Sequence, residues 1–229
     1  EDMFTERDRD TEYDESECTA ISLSDEETKC DSDGVKMDGQ TVTITEGGTY
    51  LLTGSLSNGS VVVDTDKTEK VQLILENVSI INEEGAGICV EQADKVFITL
   101  ADGSTNKIVS NSFTENEDTN IDGAIFSRED LTLNGSGTLK ITSAAHGIVS
   151  KDDLVLTGGV YQIQSEKQGL SGKESVRIAD GTFTITSGTD AIHSEDTDED
   201  TKGFVYITGG VLTLAAGGDG ISSSYVVQA

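Results

Sequence analysis

The sequence repeats itself at a nearly constant interval between Ala124 and Ile221. The segment Gly-Ile-Val-Ser-Lys-Asp-Asp-Leu at 147–154 returns about 22 residues later as Gly-Leu-Ser-Gly-Lys-Glu-Ser-Val at 169–176. Such self-similarity is typical of a solenoid, in which each structural repeat packs only against its two neighbours. The repeat therefore predicts an elongated fold built from stacked coils.

Each repeat contains three short runs of alternating apolar and polar residues, separated by Gly, Asn, Asp or Ser. This alternation predicts strands, and no stretch is long enough for an amphipathic helix. The equivalent positions form five apolar columns: Leu131, Leu154, Val176 and Val205; Leu133, Leu156, Ile178 and Ile207; Leu139, Tyr161, Phe183 and Leu212; Ile141, Ile163, Ile185 and Leu214; and Ile125, Ile148, Leu170, Ile192 and Ile221. Equivalent strands stacked about 4.8 Å apart would bring these columns together.

The pattern thus predicts an all-β fold, a single-stranded parallel β-helix with three strands per coil of about 22 residues. Right-handedness is expected from the general preference of parallel crossovers. We expect residues 41–229 to form the β-helix, with insertions at 103–123 and 195–203. Residues 1–40 are strongly acidic, and we expect them to cap the open end of the core; the alternative is a solvated leader.

The charge balance limits the possible partners. Fifteen Lys and Arg against 43 Asp and Glu give a formal net charge of −28, which excludes nucleic acid and anionic membranes as expected partners and favours cations. The sequence shows neither a signal peptide nor a transmembrane run, so no membrane insertion is expected. The acidic composition, rich in Thr, Ser, Gly and Asn, predicts an extracellular or cell-surface protein.

Three cysteines leave the redox state open. Cys18 and Cys30 could join across the acidic segment by a disulfide. Cys89 lies in a predicted strand, where a buried free thiol is expected. Because three is an odd number, one cysteine stays unpaired or pairs between chains.

Aspartates at repeated positions indicate a calcium site. Asp190 and Asp219 precede two successive coils, and stacked carboxylates repel each other unless a cation neutralises them. Carboxylate and carbonyl oxygens are the ligands that Ca²⁺ prefers. The candidate ligands are Asp152, Asp153, Asp190, Asp196, Asp198, Asp200 and Asp219. The alternative is a solvated acidic loop.

A column of basic residues, Arg128, Lys151 and Lys173, recurs at the repeat interval beside a column of acidic residues. The two columns could simply neutralise each other along the helix. The functional interpretation is a striped face for a polysaccharide of uronic acids. Such a glycan would meet the basic column directly and the acidic column through Ca²⁺. Tyr206 is the best outward aromatic candidate for sugar stacking.

Nucleophilic catalysis finds little support. His146 and His193 both stand at coil openings, and no serine motif of the nucleophile-elbow type surrounds them. A role in a turn is expected for His146. We therefore predict no catalytic residues.

An ordered set of motifs resembles a known family. The leader at 4–16, Ala-Asp-Lys-Val-Phe-Ile-Thr-Leu-Ala-Asp-Gly-Ser at 93–104, Ala-Ile-Phe-Ser-Arg-Glu-Asp-Leu-Thr-Leu-Asn-Gly-Ser-Gly at 124–137 and Gly-Gly-Asp-Gly-Ile at 217–221 are similar to secreted bacterial carbohydrate-binding β-helix proteins. The resemblance covers nearly the whole chain. It implies a pectate-lyase-like right-handed β-helix that binds Ca²⁺, polygalacturonate and cellulose.

One feature of that family is only partly present. Members commonly read Asp-Gly-Ile at each coil opening, whereas His146 and Gln168 replace the aspartate here. The matching positions that remain are Asp190 and Asp219.

The expected function is the non-catalytic binding of plant cell-wall polysaccharide, polygalacturonate or pectin and possibly cellulose, by a calcium-binding β-helix. One alternative is a calcium-dependent polysaccharide lyase, in which Arg128, Lys151 or Lys173 would abstract the C5 proton of a uronate. Another is a structural surface adhesin or spacer.

Overall fold

The computed structural model describes residues 3–114 and 120–229, and shows a parallel β-helix of about seven turns. Residues 115–119 of the first expected insertion, and the first two residues of the acidic segment, lie outside the described residues. Three parallel sheets, here called A, B and C, run the length of the helix. The prediction of an all-β parallel β-helix is confirmed.

From β4 (Gly48–Leu56) onward, successive coils each contribute one strand to each sheet in turn. Sheet A contains β1 (Thr19–Leu23), β4 (Gly48–Leu56), β6 (Lys70–Leu75), β9 (Lys95–Leu100), β12 (Asp130–Gly135), β15 (Asp153–Leu156), β18 (Ser175–Ile178), β21 (Phe204–Ile207) and β24 (Val227–Gln228). Sheet B contains β2 (Val35–Asp38), β3 (Thr41–Ile44), β5 (Ser60–Asp64), β8 (Ile88–Gln92), β11 (Gly123–Ser127), β14 (His146–Ser150), β17 (Leu170–Gly172), β20 (Ile192–Ser194) and β23 (Ile221–Ser223). Sheet C contains β7 (Ser79–Asn82), β10 (Thr105–Ser110), β13 (Thr138–Ser143), β16 (Val160–Ser165), β19 (Thr182–Ser187) and β22 (Val211–Ala216).

Sheets A and C meet at β4. Its first half pairs with β6 in sheet A, whereas Ser55 and Leu56 at its end pair with β7 in sheet C. The remaining element is a single helical turn, α1 (Glu6–Arg9), near the N-terminus. No helix among the described residues is long and apolar enough to cross a membrane.

The strand register brings together the five apolar columns that the sequence predicts. Leu131 pairs with Leu154, and Leu154 with Val176, in sheet A. In sheet C, Tyr161 pairs with Phe183, and their rings stack 4.8 Å apart at an angle of 5° inside the helix. Residues that alternate with these columns point outward, because side chains on a strand alternate between its two faces. A dry apolar interior and a periodic polar exterior follow from that alternation.

One tight turn shows why glycine is needed between coils. Gly135 has a φ of 95°, in the region where glycine is favoured. A side chain there would place its Cβ 2.2 Å from the carbonyl oxygen of Leu100 in the preceding coil. The close approach of neighbouring coils therefore leaves no room for a side chain at position 135.

The acidic N-terminal segment has two parts. Strand β1 adds to sheet A by pairing with β4 and buries Ile21, and β2 pairs with β3 in antiparallel fashion at the end of sheet B. Residues 3–10 lie instead against the outer face of sheet A. The carboxylate of Asp8 accepts hydrogen bonds from Thr132, at 2.7 Å, and forms an ion pair with Lys95, at 2.8 Å.

The cysteines are free thiols. Neither Cys18 nor Cys30 forms a disulfide in the structure, so the bridge considered from the sequence is not present. Cys89 is buried, as predicted. It packs on the outer side of sheet B with Phe126 and Val149, not in the central core. A loop residue, Ile121, covers part of this outer apolar patch.

The contact of Asp8 with Lys95 yields a prediction about stability. Both side chains are largely buried, with exposed fractions of 3% and 15%, so that removing one partner leaves the other charge buried. We expect Asp8→Ala to lower the free energy of unfolding by about 3 kcal/mol, measured by urea denaturation at neutral pH. Asp14→Ala, at an exposed position of the same segment, is the control and should change it by less than about 0.5 kcal/mol.

Acid should weaken this contact in a predictable direction. Burial raises the pKa of Asp8, but hydrogen bonds from Lys95, Thr132 and Thr5 outweigh it and lower the pKa below the usual 3.8. A carboxyl group with a lowered pKa stabilises the folded protein above its unfolded pKa, and the contribution is lost as the pH falls through the folded pKa. A difference between Asp8→Ala and its parent that stays constant down to pH 2 would contradict this explanation.

Candidate functional site

A groove on the outer face of sheet B contains two of the predicted site residues, Lys151 and Lys173. Its volume is about 380 Å³. The strands β14, β17 and β20 form its floor, and both expected insertions reach its rim, through Asn120 and Thr197. The charged and hydrogen-bonding side chains that line it include Asp122, His146, Lys151, Gln168, Lys173 and His193.

The lysines reach the groove because of strand register. Lys151 follows the last residue of β14, and Lys173 follows the last residue of β17. The backbone N–H of Lys173 donates to the carbonyl of Ser150 in the coil before, and that of Lys151 donates to Ser127. The two lysines therefore occupy equivalent positions one coil apart, about 4.8 Å along the helix.

Arg128 continues the column one coil earlier but does not line the groove. Its Nε lies 2.7 Å from Glu91, and its guanidinium lies 5.5 Å from the centre of the Phe126 ring. The Nζ atom of Lys151 lies 5.4 Å from the same ring. Phe126 thus forms an apolar support beneath two bases of the column.

Each lysine of the groove faces a carboxylate from a loop: Asp122 immediately precedes β11, and Asp198 lies between β20 and β21. The expected insertion at 103–123 is wrong in part, because Thr105–Ser110 form β10 in register with its neighbours in sheet C. The Nζ of Lys173 lies 2.7 Å from Asp198, and this contact raises the pKa of Lys173. The Nζ of Lys151 lies 3.6 Å from Oδ1 of Asp122, beyond hydrogen-bond distance. That Oδ1 atom is buried and has no hydrogen-bond partner. The ammonium group of each lysine therefore lies within 4 Å of an internal carboxylate.

His146 is held neutral in the groove. Its Nδ1 accepts the backbone N–H of Gln168 at 3.2 Å, so in the neutral ring the proton sits on Nε2, which lies 3.6 Å from Asp122. Burial, together with Lys167 and Lys151, lowers the pKa of His146 to about 4, against the opposing effect of Asp122. At neutral pH His146 therefore offers a hydrogen-bond donor and no charge.

His193 stacks between Ser171 and Ser222 of the neighbouring coils. Its Nδ1 lies 3.0 Å from Asp190, and its Nε2 lies 3.6 Å from Glu195. Neither histidine was expected to line a binding site. His193 is equivalent to Ser171 and Val149, three positions after the His146 position in the repeat, so no shared position indicates that both histidines face the groove.

The seven candidate calcium ligands are spread over several places. One carboxylate oxygen of Asp190 accepts the backbone N–H of Asp219, and the other contacts His193. Asp196 accepts the backbone N–H groups of Asp198 and Glu199. Within residues 3–114 and 120–229, no group of three or more His, Cys, Asp or Glu side chains is arranged to hold a metal ion.

Two further candidates lie in the turn between sheets B and A. Asp153 contacts Ser175 and Arg177. Burial, together with the neighbouring carboxyl groups of Asp130 and Glu174, raises the pKa of Asp152 to about 7. This is the one place where a candidate ligand is crowded by other carboxyl groups strongly enough to hold a proton near neutrality. The carboxylate oxygens of Asp152 and Glu174 are ligands of the kind that a hard cation prefers.

Tyr206 lies far from the groove in the fold. It belongs to β21 of sheet A, and its ring lies 6.0 Å from the ring of Phe4 in the N-terminal segment. The structure therefore does not bring Tyr206 together with Lys151 and Lys173. The alternation in the sequence indicates that Tyr206 points outward. It does not indicate that the N-terminal segment covers the outer face of sheet A, where Tyr206 lies.

Comparisons with known proteins agree with this architecture. Residues 38–229 match the family described as carbohydrate-binding domain-containing protein, and the chain belongs to that family. A relative of this description from Acetivibrio thermocellus is 36% identical over 137 residues, which is 58% of this chain and 48% of the relative. The chain thus spans about half the length of that relative.

A solved structure is similar over nearly the whole fold. The polysaccharide lyase-like protein from C. thermocellum, described as a gadolinium derivative, has a TM-score of 0.84 and 32% sequence identity. The match covers 92% of this chain and 96% of that protein.

The raised pKa of Asp152 leads to a prediction about pH. An acid whose folded pKa is raised loses its contribution to stability as the pH rises from its unfolded pKa, near 3.8, through its folded pKa, about 7. In metal-free buffer, we expect the parent to lose roughly 1 kcal/mol more than Asp152→Asn between pH 5 and pH 8, a value reduced for solvent screening. Equal losses in urea denaturation would show that folding does not raise the pKa of Asp152.

Proposed function

We propose that this protein binds acidic plant cell-wall polysaccharide without catalysis, with chains of uronic acid as the preferred ligand. The observation that carries the proposal is the pair of lysines, Lys151 and Lys173, one coil apart in a groove of about 380 Å³. The carboxylates of a polyuronate recur at a spacing comparable to the coil repeat of about 4.8 Å. The family description supports a carbohydrate ligand.

The neutral side chains of the groove would complete the site. The Nε2–H of His146 and the amide of Gln168 are hydrogen-bond donors of the kind that bind sugar hydroxyl groups. The net charge of −28 opposes any polyanion at long range, so the binding energy must come from contacts within the groove. An extracellular or cell-surface location would give the protein access to such a glycan.

The fixed tautomer of His146 argues against this histidine as the base of an elimination. Because its Nδ1 accepts a backbone N–H, the nitrogen nearer Asp122 carries the proton and does not serve as a base in this arrangement. The lyase-like description of the solved relative concerns that protein. Incubation with polygalacturonate and Ca²⁺ separates the two functions. A growing ultraviolet absorbance from an unsaturated uronate product would identify a lyase, and we expect none.

The lysine pair can be tested directly. We expect the double variant Lys151→Glu, Lys173→Glu to weaken polygalacturonate binding at least about tenfold, because it removes two charge-assisted contacts, and to change neutral glucan binding little. Isothermal titration calorimetry gives both affinities. Loss of the exposed pair between Lys173 and Asp198 should change stability by about 0–1 kcal/mol.

Sheet C provides a matched control. Lys107 and Lys140 are also exposed lysines on adjacent strands in direct register. Lys107→Glu, Lys140→Glu makes the same change in charge at the same spacing on another sheet. If both double variants lose affinity equally, the groove has no special role.

We also propose that Ca²⁺ binds at the carboxylates of Asp152 and Glu174, with the glycan carboxylates as further ligands. The crowding of these two groups supports the site, because a cation would relieve their repulsion.

Calcium should stabilise the folded protein through this site. At a hundredfold excess over its dissociation constant, Ca²⁺ would contribute about 2.7 kcal/mol, so a chelator should lower the melting temperature. The double variant Asp152→Asn, Glu174→Gln should lose that response. A parent whose melting temperature is the same in Ca²⁺ and in chelator, with no metal found by mass spectrometry, would exclude the site.

A further inference from the structure

All three bases of the column already meet a carboxylate of the same chain. Lys173 contacts Asp198, Lys151 lies near Asp122, and Arg128 contacts Glu91. A polyanionic glycan must therefore compete with internal carboxylates for these bases. The two internal carboxylates of the groove come from different segments. Asp122 belongs to residues 103–123, and Asp198 belongs to residues 195–203.

The two internal carboxylates of the groove differ in how easily they can leave. The side chain of Asp198 is 71% exposed and that of Lys173 is 41% exposed, although their charged atoms are 2.7 Å apart. Exposed pairs of this kind contribute only about 0–1 kcal/mol. Oδ1 of Asp122, in contrast, is buried. Asp198 is thus the counter-ion that a ligand can displace.

The loop that carries Asp198 is anchored on both sides of it. The carboxylate of Asp196 accepts the backbone N–H of Asp198 at 2.7 Å, and the backbone N–H of Asp196 donates to Ser224 at 3.1 Å. Beyond Asp198, Lys202 forms ion pairs with Glu174 and Glu199. Rotation of the Asp198 side chain would therefore free Lys173 without opening the loop.

We infer that Asp198 is an internal competitor of the glycan, which occupies Lys173 in the free protein and gives way to a ligand carboxylate on binding. This inference rests on the proposed function of the groove. It makes Asp198 a residue that sets affinity and specificity. Carboxylate-bearing glycans must exchange with it, whereas a neutral glycan has no group that replaces it on Lys173.

The test compares two substitutions in one loop. We expect Asp198→Asn to tighten polygalacturonate binding about threefold at low ionic strength, in line with the small contribution of an exposed pair, and to leave neutral glucan binding unchanged. Asp200→Asn removes the same charge two residues further on and should have a smaller effect. The difference between the two variants should shrink in high salt, which screens exposed charges.

A double-mutant cycle ties the effect to Lys173. In a Lys173→Met background, Asp198→Asn should no longer exceed Asp200→Asn, because the contact that it relieves is absent. An advantage of Asp198→Asn that persists in this background would overturn the inference. Equal effects of Asp198→Asn and Asp200→Asn in the parent would also overturn the inference, because they would show that only the net charge affects binding.

The outcomes separate this inference from the proposed function. If polygalacturonate does not bind, or binds equally to Lys151→Glu, Lys173→Glu, then the proposed function fails and the inference fails with it. If binding depends on the lysines but Asp198→Asn behaves like Asp200→Asn, then only the role of Asp198 is wrong.

Discussion

The stacking of equivalent residues in neighbouring coils is the constraint on which this structure depends. In a parallel β-helix each side chain lies against its counterpart about 4.8 Å away, so that similar residues meet one another. Inside the helix this is favourable, as in the stacked rings of Tyr161 and Phe183. On the outside the same rule places like charges side by side, and the chain must provide partners for them.

The groove on sheet B is a consequence of that rule. The column that begins at Arg128 brings bases together, and the parallel column that contains Asp152 and Glu174 brings carboxyl groups together. The bases receive carboxylates from other parts of the chain, among them Asp122 and Asp198. Glu174 receives Lys202, whereas burial and neighbouring carboxyl groups raise the pKa of Asp152. A polyanionic glycan would bring negative charge to the basic column, and a cation would bring positive charge to the acidic column. The stacking of like charges thus links the fold to the proposed function.

The coils could be predicted from sequence because their determinants are local and periodic. The columns through Leu131, Leu139 and Ile125 all appear in register in the structure. Contacts distant in sequence carry no such period. Nothing in the leader indicates that Asp8 reaches Lys95 and Thr132, and therefore nothing showed that this segment lies on the sheet that carries Tyr206. Likewise, the groove positions of His146 and His193 depend on the faces of β14 and β20, which their different places in the repeat left ambiguous.

The central claim is that acidic glycan binds along Lys151 and Lys173 on the outer face of sheet B. A crystal structure of the protein with an oligogalacturonate tests it most directly. The claim predicts that carboxylates of successive sugars lie about 3 Å from the two Nζ atoms, as in charge-assisted hydrogen bonds, with Asp198 turned away from Lys173. Ordered sugar on the outer face of sheet A or sheet C, with both lysines still on their internal carboxylates, would contradict it.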